Sequence, residues 1–184
     1  MNKKLIFSTL LFTGTMIATA QAKDTVDKSA FYDAALCKPA YTATSATDLY
    51  YAAEELAKAD SKTIPGAAIY TLTEDIGQDG FKTKELFFAT QSVGVFIEGL
   101  KADELAKKYN LAPEKSNLAG AATKSYAREL PDDQQPEAGL SGPGKVSIIA
   151  RESSAIPGKT LLACEFVSDA DLKALEALEA VTNK

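Results

Sequence analysis

Apolar positions along this chain recur with two different periods. Between Asp48 and Ala59, Leu49, Ala52, Ala53 and Leu56 follow the i, i+3, i+4, i+7 spacing of one helix face, and Glu54 and Lys58 form an i, i+4 pair on the other. This predicts an amphipathic helix capped by Thr47 or Ser45. A shorter helical turn over Ala30 to Cys37, stopped before Pro39, serves to present Cys37. The period then shortens. Ala67 to Ile76 and Phe81 to Thr90, joined by Gly77-Gln78-Asp79-Gly80, read as a β-hairpin, and Val93 to Gly99 as a third strand. Ala102, Leu105, Ala106 and Tyr109 return to helical spacing, with Asp103/Lys107 and Glu104/Lys108 paired opposite, until Asn110 and Pro113 end the helix.

The second half of the chain repeats that order. Ala121 to Leu130, Lys145 to Glu152 and Thr160 to Val167 are strand-like, and Ser168 with Asp171 makes an S-x-x-D capping box before Leu172, Leu175, Leu178 and Val181. Strands close in sequence and joined by short turns favour antiparallel pairing. The expected fold is therefore α+β, an antiparallel sheet with helices packed on one face. A strand-strand-strand-helix unit used twice is consistent with it, although residue similarity between the halves is weak. On the last strand Leu162, Cys164 and Phe166 share a face, and Phe87 and Phe88 must point to opposite faces.

Residues 1–22 follow a different logic. Lys3 and Lys4 precede an apolar stretch from Leu5 to Ile17, and Ala20-Gln21-Ala22 gives the small-x-small pattern of a cleavage site. Ser8, Thr9, Thr13, Gly14 and Thr15 interrupt the stretch, which falls short of the ~20 apolar residues of a spanning helix. We expect a removable export signal, a single domain over 23–184, a periplasmic or secreted location, and no stable membrane insertion after processing.

Export changes the reading of composition. The formal charge of −5 becomes −7 once Lys3 and Lys4 are removed, with 18 basic against 25 acidic side chains. That argues against nucleic acid and anionic lipid as partners. With no His and no Trp, the chain lacks the commonest metal ligand and every imidazole-dependent triad. Its only cysteines, Cys37 and Cys164, lie 127 positions apart. An even count in an exported chain favours a structural disulfide, and a catalytic thiol would want a His partner or a CxxC motif.

Two motif resemblances fail on context. Gly139 to Lys145 matches G-x-x-x-x-G-K, but Val146 replaces the Ser/Thr of a phosphate loop and the following VSIIA is strand-like. Asp75, Gly77 and Asp79 imitate a calcium loop whose twelfth position is Leu86 where a bidentate Glu is needed; a hairpin turn explains them better. No cofactor or metal is indicated. A hydrolase would have to rely on carboxylates, with Glu74, Glu85, Glu98, Glu152 and Glu165 as candidates from which no pair stands out.

What remains is the segment Pro131 to Gly144, irregular and rich in Pro and Gly, whose acidic residues Asp132, Asp133 and Glu137 are candidates for meeting a basic partner. The leading expectation is an exported binding or inhibitory protein whose partner is another envelope or secreted protein. The alternatives are a His-independent hydrolase with two converging carboxylates, and a small-ligand carrier with a deep apolar cavity between sheet and helices.

Overall fold

A computed structural model describes residues 27–114, 122–136 and 142–182. The proposed signal and Glu137 lie outside them. Helices α1 (Ser29–Ala35) and α2 (Ala43–Leu56) lead into strands β1 (Ala59–Asp60), β2 (Ala67–Ile76), β3 (Thr83–Ala89) and β4 (Ser92–Glu98). Helix α3 (Ala102–Tyr109) follows, then β5 (Ala112–Pro113), β6 (Ala122–Glu129), β7 (Gly144–Ser153), β8 (Lys159–Ser168) and α4 (Asp169–Thr182). A single 3-10 turn, Asp132–Gln134, lies within the segment expected to be irregular throughout.

All eight strands form one antiparallel sheet in the order β1-β2-β3-β4-β8-β7-β6-β5. That order reads the same from either end once each half is numbered from its own start. Two strand-strand-strand-helix units therefore meet through β4 and β8, each with a two-residue strand at its outer edge. Short edge strands leave little ladder for another chain to join. The central strands are covered on both faces: every residue of β4 except Glu98 is buried. Gly94 is required there, because a Cβ would come within 2.4 Å of the Leu162 carbonyl oxygen on β8.

Alternation along the strands divides the side chains between two faces. Tyr70, Leu86, Phe88, Val95, Ile148, Leu162, Cys164 and Phe166 build the main core against α1, α2 and α3. On the opposite face Phe87 and Phe96 form a smaller cluster with Ala67 and Ile156. Phe87 and Phe88 thus point apart, as strand periodicity requires. Cys164 shares the main face with Leu162 and Phe166, and is bonded to Cys37 with the Cα atoms 5.0 Å apart. The bridge anchors the residues after α1 to the middle of the sheet. Helix α4 leaves β8 with no linker, and Leu172 in its first turns borders a cleft with Glu165 and Val167 of the second face. Among the described residues no helix is long and apolar enough to cross a membrane.

Helix α2 departs from the expected bounds. It starts at Ala43 because Thr42 and Ser45 cap reciprocally: the Ser45 N–H donates to Thr42 Oγ1 and the Thr42 N–H to Ser45 Oγ, both at 3.1 Å. Thr47 is inside the helix, its hydroxyl donating to the Ala43 carbonyl at 2.8 Å. The helix stops at Leu56 because Ala59 and Asp60 pair with Tyr70 and Ile69 of β2. At α4, Ser168 accepts from the Asp171 N–H at 3.1 Å, while the Asp171 carboxylate accepts from the Ser168 hydroxyl instead of reaching back to the backbone. Half of the expected capping box forms.

Candidate binding groove

The first turns of α2 rest on the strands without filling the space beneath them, because Ala43, Ala46 and Ala68 have short side chains; Ala67 and Ala89 also border the space, although their side chains pack on the second face. The result is an open groove of about 570 Å³, in the size range of small-ligand sites. Tyr41, Tyr50, Tyr51 and Phe88 supply its aromatic surface, and Thr47, Ser61 and Thr90 add polar groups. Apart from tyrosine phenols, none of its lining side chains is ionisable.

The aromatic wall is rigid where it meets the core. Tyr50 makes edge-on contacts with Tyr51, Tyr70 and Phe88 at centroid distances of 5.7–5.9 Å, the geometry that ring quadrupoles favour. Tyr41 is held by its hydroxyl donating to the Thr90 carbonyl at 2.8 Å, and burial pushes its phenol pKa up. Tyr70 lies beneath, fully buried, with no hydrogen-bond partner for its hydroxyl; burial, then the neighbouring Tyr50, drive its pKa far above the ordinary phenol value. Tyr51 differs from all of these. It is 61% exposed and forms the lip of the groove.

The other half of the sheet carries an ion network instead. Arg151 on β7 lies between two carboxylates: its Nη2 donates to Glu114 Oε1 and Oε2 at 3.1 and 2.9 Å, and its Nη1 to Glu165 Oε1 at 2.9 Å. The Ser125 hydroxyl donates to Glu114 at 2.6 Å and accepts from Arg151 Nε at 3.1 Å. The Arg151 side chain is only 12% exposed. Burial works against its charge, but Glu165 and then Glu114 outweigh that and raise its pKa above the ordinary arginine value.

This network bears on the hydrolase alternative. Glu114 and Glu165 do converge beside a cleft of about 270 Å³, yet the guanidinium between them occupies the oxygens that proton transfer to a substrate would need. The remaining candidates are scattered. Glu74 pairs with Lys28, Glu85 with Lys159, and exposed Glu98 faces Lys159 across the ladder. Buried Glu152 accepts from the Ala102 N–H at 2.9 Å and so caps α3. No group of three or more Cys, Asp or Glu side chains among the described residues is placed to hold a metal ion.

No protein-family model, curated protein or solved structure matches this chain. Of the acidic residues singled out in the 131–144 segment, exposed Asp132 is 2.9 Å from Lys145 and Asp133 is exposed. Glu137 lies outside the described residues. Asp79 of the calcium-like stretch sits in the β2–β3 turn, 3.0 Å from Lys108. Sequence reasoning missed the groove, whose lining comes from α2, β2 and β3 and the residues beside them. It also missed Arg151 and Glu114, which only the strand register brings together.

Proposed function

We propose that this is an exported binding protein that holds an uncharged ligand, or an uncharged element of an envelope or secreted partner, in the groove between α2 and the ends of β2 and β3. One observation carries the reading: on a chain of formal charge −5, a groove of about 570 Å³ has no charged side chain and is walled by aromatics. Of the carboxylates singled out for a His-free enzyme, Glu165, Glu74, Glu85 and Glu152 are committed to Arg151, to lysines or to a helix cap, and Glu98 stands exposed apart from them. Export is part of the proposal, supported by the pattern of residues 1–22 and by the Cys37–Cys164 bridge. The carrier alternative is less well supported, because the main core cluster fills the space between the sheet and α1–α3 and the groove is open.

The reading moves the contact surface from the acidic segment to the groove. It is tested by immobilising the processed protein and comparing what wild type, Ala46→Trp and the double variant Asp132→Asn/Asp133→Asn retain from a native extract of the exported compartment. Ala46 lines the groove and is only partly buried against the main core, so an indole there fills the space, and a thermal melt of the variant checks that the fold is kept. Ala46→Trp is expected to lose the retained material and the acidic double variant to keep it. Equal retention by all three would overturn the groove.

A further inference from the structure

The binding reading leaves the ligand's chemistry open, and the following inference rests on it. We propose that the groove takes a neutral pyranose sugar, either as a free oligosaccharide or as part of a glycan polymer.

Three features converge on that class. A formally acidic protein whose groove contains no Lys, Arg, Asp or Glu offers no electrostatic reward to an ionic ligand and no repulsion to a neutral one. The groove also combines the two surfaces that a pyranose ring presents. The exposed Tyr51 ring stands at the lip, suited to the flat C–H face of a sugar, while Thr47, Ser61 and Thr90 bring hydroxyl and backbone polar groups to the rim for its hydroxyls. An acyl chain would strip water from those polar groups and return no hydrogen bond in its place. Finally, the groove crosses the start of β2 at Ala67 and Ala68 and the end of β3 at Ala89, instead of running along a free strand edge. An extended peptide adding to the sheet has no continuous ladder to join there.

Tyr51 is the specificity element in this account. Its ring, not its hydroxyl, supplies the stacking surface, so Tyr51→Phe should behave as wild type and Tyr51→Ala should not. Its exposure also makes both substitutions safe for the fold.

The experiment is a titration of the processed full chain followed by intrinsic tyrosine fluorescence. The chain has seven Tyr and no Trp, and three of the tyrosines line the groove. The soluble probes are chitotriose, cellotriose and maltotriose, with laurate as the apolar comparison, and co-sedimentation with insoluble chitin and with purified cell-wall glycan reports polymer binding. The expected result is saturable binding of at least one trisaccharide or polymer, weakened roughly tenfold or more by Tyr51→Ala and by Ala46→Trp, and changed less than about twofold by Tyr51→Phe. Binding of the soluble probes assigns a free oligosaccharide, and binding of the polymers alone assigns a glycan; both support the class. Saturation by laurate without any sugar overturns it, as does sugar binding that neither Tyr51→Ala nor Ala46→Trp affects. If every sugar fails while Ala46→Trp still abolishes retention from native extract, the ligand class falls and the binding reading stands. If that retention is also unaffected, both fall.

Discussion

The β1–β4 half and the β5–β8 half of the sheet share strand order and each is followed by a helix, yet they put opposite chemistry on their surfaces. The first gathers Tyr41, Tyr50, Tyr51, Tyr70 and Phe88 around an uncharged groove under α2. The second locks Glu114, Ser125, Arg151 and Glu165 into a partly buried ion network. The difference is one of satisfaction. In the second half Glu114, Ser125, Arg151 and Glu165 answer one another within the protein, which makes that patch a structural brace. In the first half an aromatic lip and several polar groups face solvent with space in front of them. Two halves of the same strand order thus carry different surfaces, a partly buried ion network in one and an uncharged groove in the other.

The comparison can be broken first at the point where both halves are tied. Cys37 follows α1 and bonds to β8, at the centre of the sheet. Replacing both Cys37 and Cys164 by Ser opens a loop of 127 residues, for which the chain-entropy treatment gives a loss of up to about 4 to 5 kcal/mol. Urea unfolding with and without reductant checks it; identical midpoints would show that the bridge does not brace the fold.

The next largest effect separates the two halves directly. Arg151→Met removes the cation between two carboxylates and should cost about 3 kcal/mol or somewhat more, toward the lower end for a buried pair because the Glu114 side chain is still 30% exposed. Adding Glu114→Gln and Glu165→Gln should recover most of that loss. Tyr51→Ala in the other half should alter stability by less than about 0.5 kcal/mol. Denaturant midpoints of the four proteins decide the matter. Equal losses from Arg151→Met and Tyr51→Ala would erase the proposed division.

A smaller effect sharpens the account of the aromatic half. The Tyr70 hydroxyl is buried without a partner, so Tyr70→Phe should be neutral or stabilising by up to about 1 kcal/mol. The same burial sets an alkaline limit. Tyr32 and Tyr70 have folded pKa values raised above their ordinary value of 10.0, first by burial and then by Tyr109 and Tyr50 respectively. A raised folded pKa means that the contribution is complete below the unfolded value and lost as pH rises beyond it, so stability should fall above about pH 10. Tyr70→Phe should soften that fall. Thermal midpoints measured between pH 8 and 11 test it, and a flat profile would contradict the assignment.

How much of this was legible beforehand follows from which forces are local. Strand Ala67–Ile76 and helix Ala102–Tyr109 were read with the bounds they adopt, because period-2 and period-3.6 patterning decide them within a few residues. The start of α2 was misplaced because a Thr42–Ser45 cap, not the first apolar repeat at Leu49, sets it. Strands β1 and β5 are too short to leave any period. The disulfide was legible from count and compartment, but the groove was not. Its emptiness comes from Ala43 and Ala46 on α2 and Ala68 on β2 being small beside the end of β3, and no window of sequence contains the three elements together. Arg151 was missed for the same reason, since Glu114 and Glu165 reach it only through the pairing of β6, β7 and β8.

The central claim is that recognition occurs at the uncharged groove. Backbone amide chemical shifts of the isotopically labelled, processed protein, recorded as ligand retained from native extract is added, test it most directly. The account expects shifts confined to residues 41–51, 61–68 and 88–90. Shifts centred on 131–136 and Lys145, with the groove silent, would contradict it.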